Sequence, residues 1–256
     1  MQLASYSESL AYEIAFWMQA LSNPKYPIGE LGTISMDLSR KLRALAVIAL
    51  SVSGECDGFH HNLIRSAITR TKYLERAMEV GGADEHHVAS GRYEPMTDAI
   101  AAGALALARL VAQLSPREFR QSHEYEDDYC YAQIISRWIS EPVLDAEAQL
   151  FIDRFAKYVG DKPNARLSVC SALALRDQPA FDEAFEGLLG IRDLEIEEAK
   201  ARGQLEETHV IAQRRVFVEG LAILRLAEKR GLRTQAEYRY CPSLARKPMR
   251  TPFPGE

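Results

Sequence analysis

No stretch of this chain approaches the roughly 18–20 uninterrupted apolar residues that a membrane-crossing helix needs, so its sequence predicts no membrane partner. The opening residues, Met1 to Glu8, lack the basic start and apolar centre of a secretory signal, which predicts a cytoplasmic protein. Basic residues are not in excess: 31 Lys and Arg face 36 Asp and Glu. Phosphate backbones are bound by basic surfaces, so that balance argues against nucleic acid as the partner. Cysteine is scarce and scattered, at Cys56, Cys130, Cys170 and Cys241, with no C-x-x-C pair. Such spacing reads as reduced, buried thiols rather than a disulfide framework or a zinc site.

Catalytic patterns are missing as well. The chain has no G-x-S-x-G elbow, no phosphate-binding P-loop and no G-x-G-x-x-G, so no cofactor is predicted. The histidines occur as the adjacent pairs His60-His61 and His86-His87, with His123 and His209 alone. Neighbours on a helix point about 100° apart and cannot both reach one metal. Neither H-E-x-x-H nor a pair of E-x-x-H helices occurs. No metal site and no enzyme are predicted.

Strand signals are nearly absent too; Ala165–Cys170 is the one short candidate. What the chain has is helical periodicity almost everywhere. It predicts helices over about 4–22, 33–53 (opened by Thr33 or Ser35), 59–80, 95–113, 126–140, 145–159, 165–176, 179–201 and 207–230. A further short turn starts at Ser115-Pro116, which gives about nine or ten helices in all. Residues 83–91 read as a polar loop. The fold class is therefore all-α, one helical domain over residues 1–232 with a soft division near 115–125, followed by an irregular, proline-containing tail at 233–256. The stretches 97–114, 165–189 and 216–232 each set small residues among leucines. That pattern suits antiparallel helical hairpins stacked as a solenoid-like array, with a compact irregular bundle as the alternative.

Three charged features stand out. Arg65, Arg70, Lys72 and Arg76 read as a solvated stripe on the third helix, and Glu219 and Glu228 as surface partners of nearby arginines in the last. The third is His123-Glu124-Tyr125-Glu126-Asp127-Asp128-Tyr129-Cys130-Tyr131. Its carboxylates suit the positive end of a helix. The same residues also suit a contact surface, because tyrosine gives rigid area with a polar tip and clustered carboxylates steer a basic partner. Glu124, Tyr125, Glu126, Asp127, Asp128 and Tyr129 are the candidate partner-binding residues.

Four stretches together resemble the immunity protein 49 family, the all-helical immunity proteins of bacterial polymorphic toxin systems. They are GFHHNLIRSAITRTKYLERAM (58–78), MTDAIAAGALALARLVAQL (96–114), EYEDDYCYAQII (124–135) and VFVEGLAILRLAEKRGL (216–232), the last followed by YCPSLAR (240–246). The resemblance spans roughly residues 40–246. It implies a protein that binds and neutralises a cognate toxin from a neighbouring cell, by stoichiometric occlusion. With no export signal, the expected toxin acts in the cytoplasm, as a nuclease does. A helical-repeat scaffold or regulator with some other protein partner is the alternative.

Overall fold

The structure, a computed structural model, describes residues 3–204 and 214–254, with side chains from Tyr6 onward. Among the described residues there are twelve α-helices and no strand beyond one isolated bridge between Tyr238 and Cys241. The helices are α1 (Leu3–Ser22), α2 (Ile28–Ile48), α3 (Cys56–Val80), α4 (Glu85–Val88), α5 (Glu94–Ala101) and α6 (Leu105–Leu114). They continue with α7 (Glu126–Ile139), α8 (Asp145–Val159), α9 (Ala165–Leu175), α10 (Gln178–Ala201), α11 (Val218–Lys229) and α12 (Ser243–Arg246).

Hydrophobic periodicity located these helices except α4 and α12, which lie in the expected loop and the expected irregular tail, and local chemistry moved the ends of the others. Helix α2 begins at Ile28, just after Pro27, and neither Thr33 nor Ser35 caps it. Residues 83–91 are not all loop: Asp84 caps α4 by accepting the His86 N–H at 2.8 Å. The strand candidate Ala165–Cys170 is the start of α9, capped by the Asn164 side chain. The helix expected at 95–113 is two helices. Gly103 adopts φ 78° and Ala104 N–H reaches back to the Ala99 carbonyl at 2.8 Å, a left-handed helix ending that only glycine accepts without strain. Arg225 of α11 then donates from Nε to the Ala101 carbonyl at 2.7 Å, satisfying a terminal acceptor that would otherwise be buried unpaired. The last long helix starts at Val218 rather than 207; Val210, Ile211 and His209 lie outside the described residues.

Sequential helices pack as antiparallel hairpins. Ser35 donates to the Thr69 carbonyl at 3.5 Å and Ser39 to that of Ser66 at 3.2 Å, which fixes α2 against α3 in opposite senses. In the same way Glu126 meets Arg154 at 2.7 Å while Arg137 meets Glu147 at 3.4 Å, pairing α7 with α8. Helix α5 breaks the sequential pattern. Its small residues Ala99 and Ala101 are wholly buried, and it touches α3, α6 and α11. That non-sequential contact closes the array into an irregular bundle. One continuous cluster of buried side chains runs from Tyr6 to Ala245. Each fully buried Leu or Phe in it, such as Leu38, Leu63 and Phe181, contributes about 1.5–3 kcal/mol.

The stripe expected to be solvated on α3 is largely structural. Arg70 is buried and donates to the carbonyls of His87, Val88 and Ala89. Arg76 donates to Pro24 at 2.7 Å and Tyr26 at 2.6 Å, tying down the turn between α1 and α2. Met78, near the end of α3, is 69% exposed. The tail folds back across both halves of the bundle. Its Tyr240 hydroxyl donates to Asp193 of α10 at 2.7 Å, and the backbone N–H groups of Arg250 and Thr251 donate to Asp57 of α3 at 2.8 and 3.0 Å.

Candidate functional site

The acidic-tyrosine segment lies at the start of α7, where three carboxylates complement the helix N-terminus. Most of it is engaged inside the molecule. Glu124 accepts the Gly91 N–H at 2.6 Å, the Arg120 N–H at 2.9 Å and the Ser90 hydroxyl at 3.3 Å, so it braces two loops. Glu126 pairs with Arg154 of α8. Tyr129 is buried between the rings of Phe119 and Phe151, with Arg154 stacked 5.0 Å from its centroid. Its hydroxyl donates to the Arg117 carbonyl at 2.7 Å.

Asp128 leads into a second network that sequence reading missed. Arg166 of α9 donates to Asp128 at 3.3 Å and forks onto Glu219 of α11 at 2.9 and 3.1 Å. Its guanidinium lies 5.4 Å from the ring centroids of both Tyr93 and Tyr131. Glu219 is thus a bridge between helices, not a partner for arginines of its own helix; Glu228 likewise pairs with Arg246 of α12. Burial is the largest single influence and opposes the charge on Arg166, but Glu219 and the other groups around it together outweigh it and hold the guanidinium protonated above its ordinary range. Burial pushes the Tyr93 and Tyr131 hydroxyls well above the ordinary tyrosine range, so both rings stay neutral. This network walls one side of a cleft of about 550 Å³ that also touches Arg43 and Arg192.

Tyr125 and Asp127 are what remains outward. Tyr125 is 72% exposed, and half-buried Asp127 has no bonded partner among the described residues. Of the six candidate contact residues, the structure therefore presents one aromatic and one carboxylate freely. The spacing of Tyr125, Glu126 and Asp127 gave no sign of this division, because the partners Arg120, Arg154 and Arg166 come from other elements.

Burial pushes the Asp128 carboxyl up to about 6, against the pull of Arg166 and with Asp127 adding to the rise. The folded state therefore keeps a proton that the unfolded chain, near 3.8, has already lost. Stability from this group is greatest below pH 4 and falls as pH climbs through 6. Asp128→Asn should remove that dependence, matching the parent at pH 4 and exceeding it by about 1–3 kcal/mol at pH 7.5. Urea unfolding at the two pH values measures the difference; equal gaps at both would refute it.

Among the described residues no group of His, Cys, Asp and Glu is arranged to hold a metal ion. His86 and His87 are tied to protein atoms: His86 Nδ1 lies 3.0 Å from the His123 carbonyl, and His87 Nε2 lies 3.3 Å from the Thr33 hydroxyl. All four cysteines are free and buried. Burial pushes the Cys130 and Cys241 thiols up to about 12, the reverse of what a nucleophile needs. No helix among the described residues is long and apolar enough to cross a membrane.

An all-helical chain with these braced stretches matches the family model for immunity protein 49 over residues 40–245, most of its length. This chain belongs to the immunity protein 49 family. The match begins within α2 and ends within α12, so the Arg166 network falls inside the family's extent, and the returning tail does so as far as Ala245. No curated protein and no solved structure matches the chain significantly.

Proposed function

We propose that this immunity protein acts stoichiometrically, binding a cognate toxin delivered by a competing bacterium and occluding it without catalysis. The observation that carries the reading is the family match over residues 40–245. Buried, unreactive thiols and structurally engaged histidines support a binding role over chemistry. The proposed setting is the cytoplasm, and the proposed toxin is one that acts there, such as a nuclease. Neither nucleic acid nor membrane is the proposed partner.

The contact face we propose is the segment from Glu124 to Tyr129, with its tasks divided. Tyr125 supplies exposed aromatic area and Asp127 an unpaired charge. Glu124, Glu126, Asp128 and Tyr129 hold that loop and helix start in place. An exposed tyrosine ringed by fixed charge is the kind of residue that dominates a protein interface. An acidic group beside it raises the association rate with a basic active face.

Co-expression with the product of the adjacent toxin gene tests the function: the chain should rescue growth and co-purify with the toxin at fixed stoichiometry. Failure of both would refute the reading. Tyr125→Ala should then weaken binding by about 2 kcal/mol or more, roughly 30-fold. Asp127→Lys should chiefly slow association, more at low salt than at high. Normal rescue and unchanged kinetics in both variants would move the contact face elsewhere.

A further inference from the structure

A second cavity, of about 370 Å³, lies between α2, α3 and the start of α5. Four arginines line it, Arg40, Arg43, Arg70 and Arg92, against the single carboxylate of Glu94. This concentration of positive charge runs against the chain as a whole, whose net charge is −5. Arg43 is neutralised by a two-pronged bond to Asp98 at 2.7 and 2.9 Å. The others have no such balance. Arg70 is only 2% exposed and bonds to backbone carbonyls alone, and its Nε is buried without a partner. Arg92 bonds only to His86, to its ring Nε2 at 2.7 Å and its carbonyl at 3.4 Å. Arg40 is half exposed and reaches Asp37 at 3.5 Å, at the outer edge of an ion pair.

A buried guanidinium with no carboxylate is costly to hold charged. Burial accordingly lowers Arg70 to about 10, with Glu94 and Glu124 only partly offsetting it. Planar, multi-donor guanidinium groups converging on one cavity are the arrangement that recognises oxyanions.

We infer that this cavity is a binding site for an oxyanion, a phosphate or carboxylate group, held by Arg70 and Arg92 with Arg40 at its mouth. The site is separate from the α7 segment and does not depend on the toxin reading. Glu94 shares the cavity without a bonded partner among the described residues, so it works against the anion and gives the proposal a sign-specific test.

The full-length protein in low-salt, chloride-free buffer should bind inorganic phosphate or acetate saturably by calorimetry, and its thermal midpoint should rise with ligand concentration. Saturation by phosphate assigns a phosphate group, and saturation by acetate a carboxylate. Arg40→Gln with Arg92→Gln should abolish binding while circular dichroism stays unchanged. Glu94→Gln should tighten it several-fold, an outcome that loss of structure cannot mimic. Absence of saturable binding for both anions would overturn the proposal. So would equal affinity in the arginine double variant, or binding that Glu94→Gln weakens.

Discussion

Arg166→Ala should be among the most destabilising single changes in this protein, costing about 2–4 kcal/mol at pH 7.5. The guanidinium is where α7, α9, α11 and the residue before α5 meet. It bonds Asp128 and Glu219 and lies 5.4 Å from the ring centroids of Tyr93 and Tyr131, which themselves meet edge to face. Removing it leaves two carboxylates facing one another, with side chains 26% and 14% exposed and no counter-ion. Deleting one partner of a fully buried pair costs about 3–5 kcal/mol. Arg166 is itself 33% exposed, so solvent screening sets the lower figure. Arg166→Lys should recover only part of the loss, because an ammonium cannot fork onto Glu219 or stack as a plane. Two further results would identify the cause as charge. The deficit should shrink at pH 5, where Asp128 takes up its proton more readily once its cation is gone. Asp128→Asn should partly rescue Arg166→Ala, so the double variant would be less impaired than the two changes summed. A deficit independent of pH, with strictly additive effects, would mean that Arg166 matters only for packing against the tyrosines.

That network shows where the sequence was legible and where it was not. Helices follow from residue spacing, because a helix side chain's neighbours lie three and four positions away in the same segment. The positions of α1, α3 and α7 to α10 were therefore readable within a few residues. The split between α5 and α6 was missed, although Gly103, whose left-handed backbone makes it, sits inside the alanine-rich run. The Arg225 that satisfies the broken helix end comes from more than a hundred residues downstream. The same limit governs the charges. Arg70, Arg76, Arg166 and Arg230 look like surface residues when only their own helix is considered. In the structure Arg70, Arg76 and Arg230 satisfy backbone carbonyls at chain turns and helix ends, and Arg166 bridges helices. Arg230, for example, donates to the Leu173 carbonyl at 2.8 Å at the end of α9. The acidic-tyrosine segment stands out by composition, yet composition could not sort Tyr125 from Tyr129. One is 72% and the other 3% exposed because Phe119, Phe151 and Arg154 close over the second alone.

Gly220→Leu should be the other severe change, for a steric reason that spacing within α11 only half revealed. Glycine amid Leu221, Ile223 and Leu224 predicts a tight contact, and a neighbouring helix is the obvious occupant. The structure puts the returning tail there instead. A Cβ at position 220 would sit 2.5 Å from Phe217 Cδ1 and 2.8 Å from Cys241 Sγ. Neither neighbour can move away freely. Cys241 is fully buried, and the Phe217 N–H donates to the Tyr240 carbonyl at 2.7 Å, locking the tail to the start of α11. Arg192 of α10 also covers the Phe217 ring, 5.5 Å from its centroid. Helix propensity alone would favour replacing this glycine, by about 1 kcal/mol for alanine. The clash has the opposite sign and is larger, so Gly220→Ala should be net destabilising by about 1 kcal/mol and Gly220→Leu by about 3 kcal/mol. Urea unfolding should show a lower midpoint for both variants. The damage should start at the tail: limited proteolysis of Gly220→Leu should cut within residues 233–254 under conditions where the parent resists. Gly220→Ala together with Cys241→Ala should restore most of the loss, because removing the sulfur opens one of the two close contacts. If Gly220→Ala instead stabilised the protein by its propensity gain, the wedge between α11 and the tail would be refuted.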